Sequence, residues 1–291
     1  MDFGRKFEQL VSQVEQLEGD IYTTRPCPFC LYLRRHPMVV RMEDGKLRFE
    51  CPDGDFKAIV DGEGHVEVEV GVLWQDYKDK FVDQMKEFVL QTKVFSFQEV
   101  LNTTKKILDQ EIGRAKLRRK IKVISRDWFT CLGDYIGARV AYNELEANIF
   151  IDLRAYSKGV AVVIHGDWST SSRVYVGTRN FEEKLRDKIR TVVHGIKTRF
   201  VDILEEEQKK VEIARELTKK IGLEFSPTGS YYAYEAFLPT TPKLRVVVYY
   251  NDKAGVYDFG VEVYKSWEAN PEDVQELLEK VASILKSTFT P

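Results

Sequence analysis

With 291 residues, 43% of them hydrophobic, the chain is long enough for one large domain or two ordinary ones, each with a sizeable buried core. Its 44 basic and 46 acidic residues leave a formal net charge of −2, which excludes a global field drawing it onto nucleic acid or an anionic membrane; any such contact must come from a local basic patch. No run approaches the roughly 18 apolar residues of a membrane span, and the first residues lack the apolar core and cleavage site of a secretory signal, so a cytoplasmic protein with no membrane partner is expected.

Phe3, Phe7, Leu10, Val14 and Leu17 recur at helical spacing and predict an amphipathic first helix. A block rich in Gly, Pro and Asp comes next, from about Gly19 to Trp74. Within it MVVRM and KLRFE flank Asp44-Gly45, the turn pair of a two-residue hairpin, and FKAIV and HVEVEVGVLW continue as strands. Residues 1–74 are therefore expected as an N-terminal domain. Residues 75–120 read as a helical connector, with one apolar stripe at Phe81, Met85, Phe88 and Val89 and a second at Val100, Leu101, Ile107, Leu108 and Ile112.

From residue 121 to 291 the pattern is α+β. IKVIS, YIGARVAY, ANIFIDL, KGVAVVIH and SRVYVG read as strands, and a long helix is predicted over Phe181–Ile221, with Gly195 its one expected break and Gly222 at its stop. YYAYEAFL, LRVVVYY and GVYDFGVEVY resume the strands. Asn270-Pro271-Glu272-Asp273 then caps a closing helix whose stripe starts at Val274 and Leu277. The expected fold is α+β: a zinc-ribbon-like β-hairpin region, then antiparallel meander sheets packed by long helices. A duplicated α-β-β-β-α unit, 121–200 and 201–291, and a single domain that happens to alternate are both compatible with the pattern. The interspersed charges and scarce Asn resemble the composition of thermophilic proteins.

The cysteines are Cys27, Cys30, Cys51 and Cys131. In an intracellular chain, the close spacing of three of them favours metal or redox chemistry over a disulfide framework. A Cys-x-x-Cys turn such as Cys27-Pro-Phe-Cys30 sets two thiolates on one side of a knuckle with backbone amides directed at the sulfurs. That geometry suits a tetrahedral zinc ion when a second knuckle completes the ligand set. Cys51 stands where the hairpin's return strand ends.

The order of Cys27-Pro28-Phe29-Cys30, His36-Pro37, Lys46 to Cys51 and Gly54-Asp55 resembles a zinc ribbon. More narrowly, over about residues 25–56, it resembles the zinc-binding domain of bacterial-type replicative primases. The resemblance implies a structural zinc ion and a binding module; the remainder of the chain carries no primase catalytic signature. Gly54 stands where the last family cysteine falls, so the fourth ligand is sought among His36, Asp53, Asp55, His65 and Cys131. The expected set is Cys27, Cys30, Cys51 and His36.

Two other readings stand beside this one. Asp20 to Cys30 is similar to the strand-to-active-site segment of glutaredoxins, which implies a low-pKa Cys27 thiolate at the start of a helix of about three turns. Pro37 leaves room for barely one such turn after Cys30. Alternatively, the cysteines are buried as small apolar residues with no metal.

Arg114, Lys116, Arg118, Arg119, Lys120 and Lys122 form the most basic short run, at a helix end leading into a strand. They suit phosphate contacts with DNA or RNA, each engaged side chain adding roughly one counterion release; equally, they suit cations complementing a helix dipole. Arg34, Arg35 and Arg41 form a smaller cluster near the ribbon, where Phe29 and Tyr32 either stack on bases or pack inward. Asp152, Asp258, Glu262 and Lys265 are the strand carboxylates and lysine to test for nuclease chemistry, although Lys265 falls on the opposite face from 258 and 262. His165 and His194 lack companions at ligand or triad spacing, and no phosphate loop, nucleophile elbow or dinucleotide fingerprint occurs.

The expected function is a non-catalytic nucleic-acid-associated or assembly protein using the ribbon and the basic run. The alternatives are a protein-interaction component of a virus or large complex, docking through helix 181–221, and a thiol-redox or metal-dependent nuclease enzyme.

Overall fold

Residues 2–29, 36–52, 54, 56–124, 134–229, 233–238, 244–251, 256–263 and the single positions 275, 279 and 283 are described by a computed structural model of the chain. They form an α+β protein of antiparallel sheets packed by helices, divided into two compact units, Met1–Phe200 and Val201–Pro291. Among the described residues no helix is long and apolar enough to cross a membrane.

The first sheet grows from alternating strands: β1 (Ile21–Pro26), β2 (Pro37–Glu43), β3 (Lys46–Glu50), β4 (Phe56–Val60), β5 (Val66–Val70) and β6 (Val94–Ser96), in the order β5-β4-β3-β2-β1-β6. Asp44 and Gly45 join β2 to β3 with φ of 49° and 74°. Both values are positive, as the twist of a two-residue hairpin requires. Met38, Val40, Leu47, Phe49, Phe56, Ala58, Val60 and Val68 share the inward face. They pack with Phe7, Leu10 and Val14 of α1 (Phe3–Gln16) and Met85, Phe88 and Val89 of α2 (Lys78–Gln91). The outward face is laced by ion pairs such as Lys57–Glu69, at 2.9 Å.

The helical pattern after Gln75 is interrupted. A 3₁₀ turn, Val72–Tyr77, precedes α2, and β6 joins the sheet beside β1 before α3 (Phe97–Arg114) starts. Pairing with β1 outweighs local helix propensity at Val94 and Phe95, both good strand residues. Ser96 then caps α3, its Oγ accepting the Glu99 N–H at 3.2 Å. The two stripes of the expected connector consequently enter different cores.

In the second sheet β7 (Arg118–Ile124), β8 (Tyr135–Tyr142), β9 (Leu145–Tyr156), β10 (Gly159–Gly166) and β11 (Ser172–Tyr175) form a sequential meander with β7 at one edge. Ile136, Ala138, Val140, Ile149, Ile151, Val160 and Val162 line its inner face. They pack against Leu101, Ile107, Leu108 and Ile112 of α3 and Leu185, Ile189, Val192, Ile196 and Phe200 of α4 (Phe181–Ile221). The β9–β10 hairpin closes against β1. At Gly159 (φ 141°) a Cβ would lie 2.9 Å from the Thr24 carbonyl oxygen, so only glycine permits this approach.

α4 passes through Gly195 without the expected break and stops at Gly222 (φ 77°), whose N–H donates to the Thr218 carbonyl at 2.9 Å. In the second unit Ile213, Ala214 and Leu217 of this helix pack with Phe225, Tyr234, Ala236, Val246 and Val248. These last come from β12 (Phe225–Pro227), β13 (Ala233–Leu238) and β14 (Leu244–Asn251), which with β15 (Val256–Val263) run in sequential order. The apolar stripe of α4, which a docking helix would offer a partner, is thus largely used inside the two units. The closing helix expected after Asn270 lies outside the described residues except at positions 275, 279 and 283, which are helical.

Candidate functional site

Because β1 to β4 alternate in direction, the β1–β2 and β3–β4 connections emerge at the same end of the first sheet. Cys27 lies just beyond β1, and its N–H donates to the His36 carbonyl at 2.7 Å; Cys51 lies just beyond β3, and its N–H donates to the Phe56 carbonyl at 2.9 Å. The Gly54 N–H closes a turn on the Cys51 carbonyl at 2.8 Å, with Gly54 at φ 75°. Phe29 of the first connection stacks on Phe56, which ends the second, with ring centroids 3.9 Å apart; Phe81 of α2 meets Phe29 edge-on at 4.8 Å.

Cys27 and Cys51 are both buried, in one core. Folding therefore brings Cys27, His36 and Cys51 to one end of the sheet. Cys30, Asp53, Asp55 and Cys131 lie outside the described residues, as do Tyr32, Arg34 and Arg35. Among the described residues no group of three or more His, Cys, Asp or Glu side chains is arranged to hold a metal.

His65 is not a fourth ligand for these turns. It sits in the β4–β5 connection at the opposite end of the five-residue β4, roughly 16 Å of strand away, where its Nδ1 faces Asp61 at 3.0 Å. The glutaredoxin resemblance implies a strand feeding a three-turn helix; residues 30–35, where that helix would begin, lie outside the described residues, and β2 starts at Pro37. Residues 27–36 connect β1 to this antiparallel neighbour.

The basic run divides by partner. α3 ends in a Schellman turn: Leu117 N–H reaches the Ile112 carbonyl at 3.3 Å, and Lys116 N–H reaches the Gly113 carbonyl at 3.0 Å. Lys116 takes the left-handed position (φ 56°) usually given to glycine. Arg114 in the last turn pairs at 2.5 Å with Glu111, which also receives Arg186 and Arg190 of α4, each at 3.1 Å. Burial pushes the Glu111 carboxyl up. The hydrogen bonds of Arg190 and Arg186 and the charge of Arg114 outweigh that and hold it below its ordinary value. Arg119 forks onto Asp109 at 2.5 and 3.1 Å, holding that carboxyl down as well. Arg118 donates to the Asn143 carbonyl. Lys120 and Lys122 have no side-chain hydrogen bond or ion pair among the described residues.

Strand alternation puts Lys120 and Lys122 on the sheet face turned away from α3. Register places Lys120 beside Arg139 and Asn148 in one row, and Lys122 beside Gly137 and Phe150 in the next. These side chains line a groove of about 240 Å³. Phe150 is 42% exposed, with its ring centroid 6.3 Å from that of Tyr135. Arg139 pairs across the strands with Glu146, both well exposed. On the other side of β7 a broader cleft of about 860 Å³ runs along α3, lined by Lys105, Lys106, Asp109, Arg118 and Arg119.

Arg139, Asn148, Phe150, Lys105 and Lys106 do not stand out by motif or by charge in the sequence. The alternation of Asn148 and Phe150 with the inward Ala147, Ile149 and Ile151 is the signal that marks them as outward-facing. The nuclease candidate Asp152 is buried and bound by Arg154 at 2.6 Å, an arrangement that ties the carboxylate to its own strand. Asp258 and Glu262 lie on β15 of the second unit, and Lys265 is outside the described residues. No protein-family model matches the chain, and neither does any curated protein sequence.

Proposed function

We propose that the protein is a non-catalytic nucleic-acid-associated protein that engages the phosphate backbone through the outer face of β7 and β8. The observation that carries this reading is that Lys120 and Lys122, beside Arg139, border a groove containing an exposed aromatic ring. The arginines of the same run are engaged within the fold. Exposed lysines that meet no ion-pair partner among the described residues bind phosphate by releasing counterions, which makes the affinity salt-dependent. The Arg139–Glu146 pair is solvent-exposed and so worth little, which leaves the guanidinium available to a phosphate.

The same reading gives the cysteine turns a supporting role. Cys27 and Cys51, with Cys30 and His36, would hold a structural zinc ion that cross-links the two connections. What supports this is the donor chemistry of two buried cysteines on neighbouring turns. The cytoplasm, where zinc-bound thiolates persist, fits such a module.

The test is a salt titration of DNA and RNA binding by the Lys120→Ala/Lys122→Ala variant. Removing two phosphate contacts is expected to lower the slope of log K against log salt by about 1.4 for a single strand and about 1.8 for a duplex. An unchanged slope rejects the surface.

A further inference from the structure

We infer that the groove over Gly137 takes an unpaired base of a single-stranded nucleic acid, stacked on Phe150, while Lys120, Lys122 and Arg139 hold the flanking phosphates. This rests on the nucleic-acid reading of the same face and narrows it to one class of ligand.

The inference starts from an interior strand glycine. Gly137 lies in the middle of β8, paired with Lys122 on one side and Phe150 on the other. Glycine inside a strand weakens it and often marks a place where another group approaches the backbone closely. A Cβ at this position would lie 3.1 Å from Ile124 Cδ1 and 3.9 Å from the Phe150 ring. The groups that approach the Gly137 backbone are therefore the Ile124 side chain and the Phe150 ring, and the floor of the groove is this backbone partly covered by Ile124, with Lys122 on one side and Phe150 on the other.

Size limits the occupant. About 240 Å³ falls below the roughly 300–1,000 Å³ of pockets that enclose whole drug-sized ligands. It suits a single planar ring whose sugar and phosphate remain outside, and Lys120 and Lys122 lie there, about 7 Å apart along the strand. Ion pairs do not explain Phe150: a large ring 42% exposed on a sheet face is not contributing to the core, which lies on the other face. Its exposed π-face, edged by cations, offers stacking to any base, independent of sequence.

Strand number is set by the same geometry. A duplex keeps its base faces inside the stack, so it can meet the lysines but not the ring. Only unstacked bases reach an aromatic platform. A face that read phosphate alone would bind both forms.

The experiment measures fluorescence anisotropy with a labelled oligothymidylate of about 16 nucleotides, within the usual range of single-strand site sizes, and with a mixed-sequence duplex of equal length. Phe150→Ala is expected to weaken oligothymidylate binding by about 5- to 150-fold. The salt slope and the duplex affinity should stay unchanged, because no charge is removed. Phe150→Tyr should retain the affinity, and Phe150→Leu, which keeps apolar area without a π-face, should lose it. Phe150 is surface-exposed, so these variants are expected to fold, as circular dichroism will check. Equal binding of both probes with a silent Phe150→Ala, while the lysine variants still weaken both, overturns the stacking inference alone. If the lysine variants also have no effect, the nucleic-acid reading beneath it fails too.

Discussion

Glu111 joins α3 to α4, and replacing it by glutamine tests how that joint is built. Its side chain is 2% exposed and accepts from Arg114, Arg186 and Arg190, which are 61%, 30% and 53% exposed. Glutamine keeps the shape but removes the charge and turns an amide donor toward a guanidinium donor. Breaking a fully buried pair costs about 3–5 kcal/mol. Because all three arginines reach solvent, screening reduces this to about 2 kcal/mol, or roughly 4–8 °C in Tm for a unit of this size.

The direction of the shift fixes the sign of the pH dependence. The folded pKa is depressed, so the stabilisation is fully present above the unfolded value of about 4.3 and is lost as pH falls through the folded pKa. Urea denaturation of wild type and Glu111→Gln, monitored by circular dichroism, should show a gap of about 2 kcal/mol at neutral pH that closes on acidification. A neutral-pH gap under about 0.5 kcal/mol, the size of an ordinary surface substitution, would refute the reasoning. So would a gap that persists in acid.

Two further outcomes are expected. Gly195→Ala should stabilise the chain by about 0.5–1 kcal/mol in the same urea assay, because the helix is continuous there and a Cβ meets nothing within 4 Å; a loss of stability would mean that α4 bends at this residue. Elemental analysis of the purified protein should find zinc, one ion per chain, that is absent from Cys51→Ser, and chelation should destabilise the cysteine end of the first sheet. Metal-free protein in both preparations would leave Cys27 and Cys51 as core residues only.

Much of the architecture is readable from local pattern. Asp44-Gly45 marks its hairpin because positive φ at two successive residues is a property of those residues themselves. Gly222 marks the end of α4 for the same reason. The outward strand positions announce themselves by alternation, down to Phe150 between Ile149 and Ile151. The interval after Gln75 is harder. Helical spacing runs through it on both sides, and only the partner strand β1, some seventy residues earlier, makes Val94–Ser96 a strand.

The candidate site is legible in outline and not in detail. The run from Arg114 to Lys122 stands out by charge, but its six cations look alike in sequence. Which are engaged depends on Glu111, Asp109 and Asn143, three to twenty-five residues away, and on Arg190, seventy-nine residues from the carboxylate it shares with Arg114. Strand parity then sends Arg119 toward α3 and Lys120 to the opposite face.

Sequence alone determined the α+β class, the turns and most of the strands and helices, because backbone sterics and hydrophobic period act over a few neighbouring residues. Tertiary structure decided which strands pair, how one long helix serves two cores, which cations meet a carboxylate and which border an open groove. Those outcomes depend on distance in space between groups far apart in the chain, and charge neutralisation and burial depend on that distance.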